Sequence, residues 1–288
     1  MKKSLTHLPE HKQNELELIK DIILDKIPGV RLIILFGSYA RDEWVEDTHL
    51  EGHVTHVYES DFDILVATRY KKTAEDLKIH DIVKQRINAT GKVDTPYDII
   101  YHNYNYVNKM ITDGHYFFVD IQKEGIYLYR KHRHNIGEIK TIPPEKRKQL
   151  AQQEFKKWFK KAKEFYRSYE LNLKERQYKL AAFMLHQATE CFYSAVTLVF
   201  VNYRFRLHDI ETLGRKAVSY NAEFAKVFPC DTDEQKKMFD LLRKAYIDAR
   251  YKDSYEITKE QLEYLGERVQ NLQDLTERIC KEKIGSFF

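Results

Sequence analysis

The sequence predicts an α+β protein in two parts: a mixed-sheet domain over residues 1–140, then an all-α helical bundle over 141–288. Three observations predict it. Short, β-branched apolar runs that stop at turn residues occur in the first half: VRLIILF at 30–36, FDILVAT at 62–68 and YDIIY at 97–101. Each is too short for a typical helix and reads as a strand. These runs alternate with stretches of helical spacing, the grammar of a mixed domain. After Pro143-Pro144, apolar residues step by three and four nearly to the end, as in a helical bundle.

The elements follow in order. Leu16, Ile19, Ile22, Ile23 and Ile27 mark a first helix, closed by Pro28-Gly29. The first strand then runs to Gly37. A helix-like stretch, Thr73 to Ile87, lies between the second and third strands. Tyr116–Ile121 and Ile126–Tyr129 read as short strands, or as a strand and a turn. In the second half, Phe155, Trp158, Phe159, Ala162, Tyr166, Tyr169 and Leu173 share one helical face. Ala181, Leu185, Ala188, Phe192, Ala195 and Val199 share another. Two more helices are expected, Asp233–Asp253 and Thr258–Lys283, and the paired prolines near 143 suit a helix start.

Composition excludes several classes. The 288 residues suffice for a real core without disulfides or a structural metal. Aromatics at 13% and a net charge of +4 exclude disorder as the main state. The longest apolar stretch, near Ala195 to Val201, falls well short of the roughly 20 residues a membrane span needs. No apolar run follows Lys2 and Lys3, so a secretory leader is not expected. Cys191, Cys230 and Cys280 are odd in number and far apart, which points to a reducing cytoplasm. Charge of both signs describes a solvated surface, and nucleic acid is not expected as a partner. The lysines at 156, 157, 160, 161 and 163 are interrupted by Glu154 and Glu164 and do not alter that expectation.

The informative segment runs from Ile33 to Thr68. One strand ends in Gly37-Ser38 and another begins with Ser60-Asp61-Phe62-Asp63. Alternation along a strand puts Asp61 and Asp63 on one side, about 7 Å apart. Like charges so close repel, and a divalent cation resolves the repulsion. Mg²⁺ prefers one or two carboxylates together with substrate phosphates. Glycine at 37 lets backbone approach a ligand, and Ser38 offers a hydroxyl and an N–H to phosphate. Arg41 reads equally as a phosphate contact or a surface ion pair. His49, His53 and His56 would align as metal ligands only on a helix, whereas Val54, Thr55 and Val57 favour strand.

Phe36-Gly37-Ser38 followed by Ser60-Asp61-Phe62-Asp63-Ile64-Leu65-Val66 resembles the signature of the minimal nucleotidyltransferases of the polymerase-β-like superfamily. The resemblance implies that Gly37 and Ser38 hold the triphosphate of an NTP; Arg41 is a further candidate for that contact. It implies that Asp61 and Asp63 hold two Mg²⁺ ions and that a later carboxylate completes the site as base. Asp98 matches that third acid best; its rival Asp94 lies in a loop before Pro96. The expected activity is transfer of a nucleoside monophosphate, AMP from ATP, to a hydroxyl of a small-molecule acceptor, with release of pyrophosphate. The alternatives are a protein- or RNA-nucleotidylating enzyme related to toxin–antitoxin pairs, or a non-catalytic nucleotide-binding module. This sequence departs from the family in placing 22 residues, 39 to 60, between Gly-Ser and the Asp pair, so a loop or hairpin is inserted beside the site.

The second half resembles HEPN domains. Leu185-His-Gln187-Ala188-Thr-Glu190, Leu207-His208-Asp-Ile210-Glu-Thr-Leu213 and Ala245-Tyr246-Ile-Asp248-Ala-Arg250-Tyr251 carry that resemblance. The bundle is expected to form the other wall of the cleft or a homodimer interface, as in antibiotic nucleotidyltransferases. The ribonuclease pattern of Arg, four to six residues, then His is missing, because no His follows His208; ribonuclease activity is therefore not expected. Gln187 and Glu190, three apart on an apolar helix, read as a structural hydrogen-bond network reaching Arg250 or Tyr246, or else as a nucleotide or partner pocket.

Overall fold

The computed structural model describes residues 4–51, 54–131, 137–139, 142–205 and 207–287. The chain divides into two compact units between Ile142 and Pro143.

The first unit contains α1 (Glu10–Lys26), β1 (Val30–Phe36), the short α2 (Ser38–Arg41), β2 (Glu46–Glu51), β3 (Val54–Glu59) and β4 (Phe62–Thr68). It continues with α3 (Lys71–Ala74), α4 (Leu77–Asn88), β5 (Tyr97–Asn103), α5 (Tyr104–Thr112), α6 (Tyr116–Glu124) and β6 (Ile126–Arg130). Four strands form a mixed sheet in the order β5-β4-β1-β6. β1 runs antiparallel to β4 and β6, while β4 and β5 are parallel. A parallel pair needs a crossover, which α3 and α4 supply.

Both sheet faces are covered, and this explains the unbroken apolar runs of β1 and β4. Ile33, Leu35, Phe62, Ile64 and Val66 pack with Leu16, Ile19 and Ile23 of α1 and with Val83 and Ile87 of α4 in one buried cluster. Each such side chain contributes about 1.5–3 kcal/mol by leaving water. At the other end of β1, the Phe36 ring meets Phe117 of α6 edge-on, 5.6 Å between centroids.

Two sequence expectations are corrected here. Residues 116–121 form helix α6, because Phe117, Phe118 and Ile121 are needed on one buried face. The stretch 73–87 is two helices, because Asp76 caps a new one, accepting from the N–H groups of Lys78 and Ile79. The 22-residue insertion contains a hairpin, β2–β3, with His49 opposite His56 in register; His53 lies outside the described residues. No helix among the described residues is long and apolar enough to cross a membrane.

The second unit is helical: α7 (Pro144–Lys174), α8 (Tyr178–Val201), α9 (Ile210–Tyr220), a 3₁₀ turn at Ala222–Lys226, α10 (Asp233–Lys244), α11 (Asp248–Tyr251) and α12 (Lys259–Gly285). α8 is buried nearly all round, as the central helix of a bundle must be. α7 and α12 approach closely: Tyr169 donates to Leu262 O at 2.9 Å and Tyr166 to Gly266 O at 3.1 Å. A Cβ at Gly266 would stand 2.2 Å from the Tyr169 hydroxyl. The single helix expected over 233–253 is broken at residues 245–247, where the chain turns before α11.

Candidate metal centre

Sheet register assembles the first unit's acidic site. β4 aligns Asp63 with Asp98 of β5, and β1 aligns Phe36 with Asp63 on the other side. Asp61 lies two residues before Asp63, so alternation returns its side chain to the same place. Asp61, Asp63 and Asp98 each offer a carboxylate oxygen, and these atoms all lie within 4.8 Å of one another. Asp61 is buried, and Asp98 Oδ2 is withdrawn from solvent. Asp94 does not join them; its backbone N–H donates to Glu15 Oε1 at 3.1 Å.

Three carboxylates so close repel by about 3 kcal/mol per pair at an effective dielectric of about 20. A divalent cation converts that repulsion into attraction. An all-oxygen donor set suits Mg²⁺, Mn²⁺ or Ca²⁺ rather than zinc. The residues present therefore fit a hard divalent metal.

Gly37 is the second half of the site. Its φ of 77° and ψ of −156° lie in a region essentially reserved for glycine. A Cβ there would stand 2.2 Å from Asp63 Oδ2, so the carboxylate fills the space glycine leaves. The turn continues into α2, with Arg41 N donating to Gly37 O and Glu43 N to Ser38 O. Ser38 follows directly on the acidic group. Arg41 Nε donates to Glu43 at 2.6 Å, and its Nη1 stands 3.5 Å from Glu124, the ion-pair arrangement that the sequence left open.

Periodicity did not flag the supports of this site. Tyr39 is fully buried, stacked on Trp44 at 5.2 Å and tilted against Phe62 at 4.5 Å. A ring nitrogen of His7 lies 2.8 Å from Tyr39 O. Ser60 closes the base of the hairpin: its N–H donates to Val45 O and its hydroxyl accepts from Val45 N. Lys12, Glu15 and Thr95 are buried together. The available signal was that Lys12 and Glu15 fall on the same helical face as Leu16 and Ile19.

In the second unit, Gln187 and Glu190 do form a polar network, but with other partners than those expected. Glu190 Oε2 receives His208 Nδ1 at 3.0 Å, and Oε1 lies 3.5 Å from Arg204. Gln187 donates weakly to Glu190 at 3.4 Å. Arg204 lies over Trp158 at 4.3 Å. Tyr246 stacks on His208 at 4.3 Å, and Arg250 covers Tyr246 at 4.6 Å. His186, fully buried, sits between Leu242 O and His208 O at 3.0 and 3.1 Å. Burial holds its pKa below the usual value. The three stretches that carried the HEPN resemblance thus converge in space.

A family model described as HEPN domain matches residues 155–279, wholly within the second unit. The helical bundle is accordingly the HEPN-like part of the chain. No curated protein matches the chain.

Proposed function

We propose that the first unit is a metal-dependent nucleotidyltransferase that moves a nucleoside monophosphate, AMP from ATP, onto a hydroxyl acceptor. The observation that carries this reading is the acidic triad packed against Gly37, where only a side-chain-free residue leaves room for Asp63. Asp61, Asp63 and Asp98 would hold Mg²⁺, which supplies charge neutralisation at the phosphates. Gly37 and Ser38 would seat the triphosphate through backbone N–H and hydroxyl groups. The acceptor oxygen attacks the α-phosphorus, the bond from that phosphorus to the bridging oxygen breaks, and pyrophosphate leaves. Asp98 takes the acceptor's proton.

Thermal unfolding with each NTP, with and without Mg²⁺, tests the proposal. A nucleotide at 100 times its dissociation constant raises stability by about 2.7 kcal/mol. The expected result is a Mg²⁺-dependent rise with ATP that Asp61→Asn abolishes. No rise with any NTP would overturn it.

A further inference from the structure

We infer that Lys12, Glu15 and Thr95 are positioning residues for Asp98, an inference that rests on the metal-site reading above. The three are 3%, 6% and 1% exposed. Lys12 Nζ donates to Thr95 Oγ1 at 2.6 Å, and the Thr95 hydroxyl passes its own hydrogen to Glu15 Oε2. The other oxygen of Glu15 accepts from Asp94 N. Two residues after Asp94, Pro96 O accepts from Phe62 N at 2.8 Å, between Asp61 and Asp63. The chain leading into β5 is therefore pinned on one side to α1 and on the other to the acidic strand, two residues before Asp98.

Burying an ammonium and a carboxylate costs several kcal/mol unless each is well partnered, and apolar residues of similar size often hold a structure as well or better. What the polar trio adds is direction. The Thr95 hydroxyl accepts from Lys12 and donates to Glu15, and Glu15 also holds the backbone N–H of Asp94, so two successive residues before β5 are tied to α1. Mg²⁺ tolerates little error, demanding near-octahedral geometry at about 2.0–2.1 Å. Lys12 Nζ also lies 5.9 Å from the centre of the buried Tyr39 ring, the residue after Ser38.

The test is Mn²⁺ binding to the full chain, read by electron paramagnetic resonance, alongside a melting curve. Wild type, Asp61→Asn, Thr95→Val, Thr95→Ser and Glu15→Gln are compared, each required to melt cooperatively above the assay temperature. Expected is binding by wild type, loss in Asp61→Asn, about tenfold weaker binding in Thr95→Val and Glu15→Gln, and restoration in Thr95→Ser, which keeps the hydroxyl. Wild-type affinity in both Thr95→Val and Glu15→Gln overturns the inference while the metal site stands. Absence of Mn²⁺ binding to wild type overturns both.

Discussion

Glu190 in the bundle and the Asp61–Asp63–Asp98 group in the sheet unit are both carboxylate sites, yet one holds a single acid and the other gathers three. Glu190 faces a guanidinium, an imidazole and an amide, supplied by its own helix and the segment after it. The three aspartates face one another within 4.8 Å. A cluster that contains its own counter-charges ties elements together. A cluster that brings three carboxylates together gains most when a divalent cation arrives.

The largest effect expected from breaking the contrast is on the sheet unit. Asp61→Asn or Asp63→Asn should lower transfer by at least about 10³-fold, about 4 kcal/mol in the barrier. The melting temperature should stay level or rise, because one like charge is gone. Product assay and calorimetry on the same preparation check both halves; full activity in both variants would sink the assignment. Gly37→Ala comes next. It forces a Cβ against Asp63 in a backbone region reserved for glycine, at about 1–3 kcal/mol and roughly 3 °C per kcal/mol. Equal melting temperatures for Gly37→Ala and wild type would refute the cradle.

Glu190→Gln probes the other side of the comparison. It leaves Arg204 and His208 without their anion; both are partly exposed, which limits the loss to about 1–2 kcal/mol. Melting should fall while transfer per folded molecule is unchanged. The smallest effect concerns pH. His186 has a folded pKa below its unfolded value of about 6.5, so the folded state prefers the neutral ring. Its contribution is present above pH 6.5 and is lost as pH falls through that value toward the folded pKa. The melting temperature of wild type should therefore decline between pH 7 and 5, and more steeply than that of His186→Phe. Parallel slopes would exclude His186 as a source.

Much of this was legible in the residues. β4 spans Phe62–Thr68 as expected, because a strand buried on both faces has to be a continuous apolar run. Asp98 was reached only through the family resemblance, since the sequence does not say which strand pairs with β4. Asp61 and Asp63 could be placed together on paper because alternation along a strand is a nearly rigid rule. α6 could not: Tyr-Phe-Phe-Val-Asp-Ile has strand propensity, and only packing against Phe36 and its neighbours makes it a helix. Nor could the partners of Glu190. Arg204 and His208 lie beyond the end of α8, and a helical pattern carries no information about where the following segment folds back.

The two hydrogen bonds between Val45 and Ser60 make the inserted hairpin a closed module. Strands β2 and β3 lie between them and hang from a clamp immediately before Asp61. Lengthening such a loop adds only about 0.6 kcal/mol for each doubling. Evolution, or an engineer, can thus rewrite the hairpin or trim it to a tight turn and leave the acids where they are. The unit is built so that whatever the hairpin contacts can change on one schedule and the acidic centre on another.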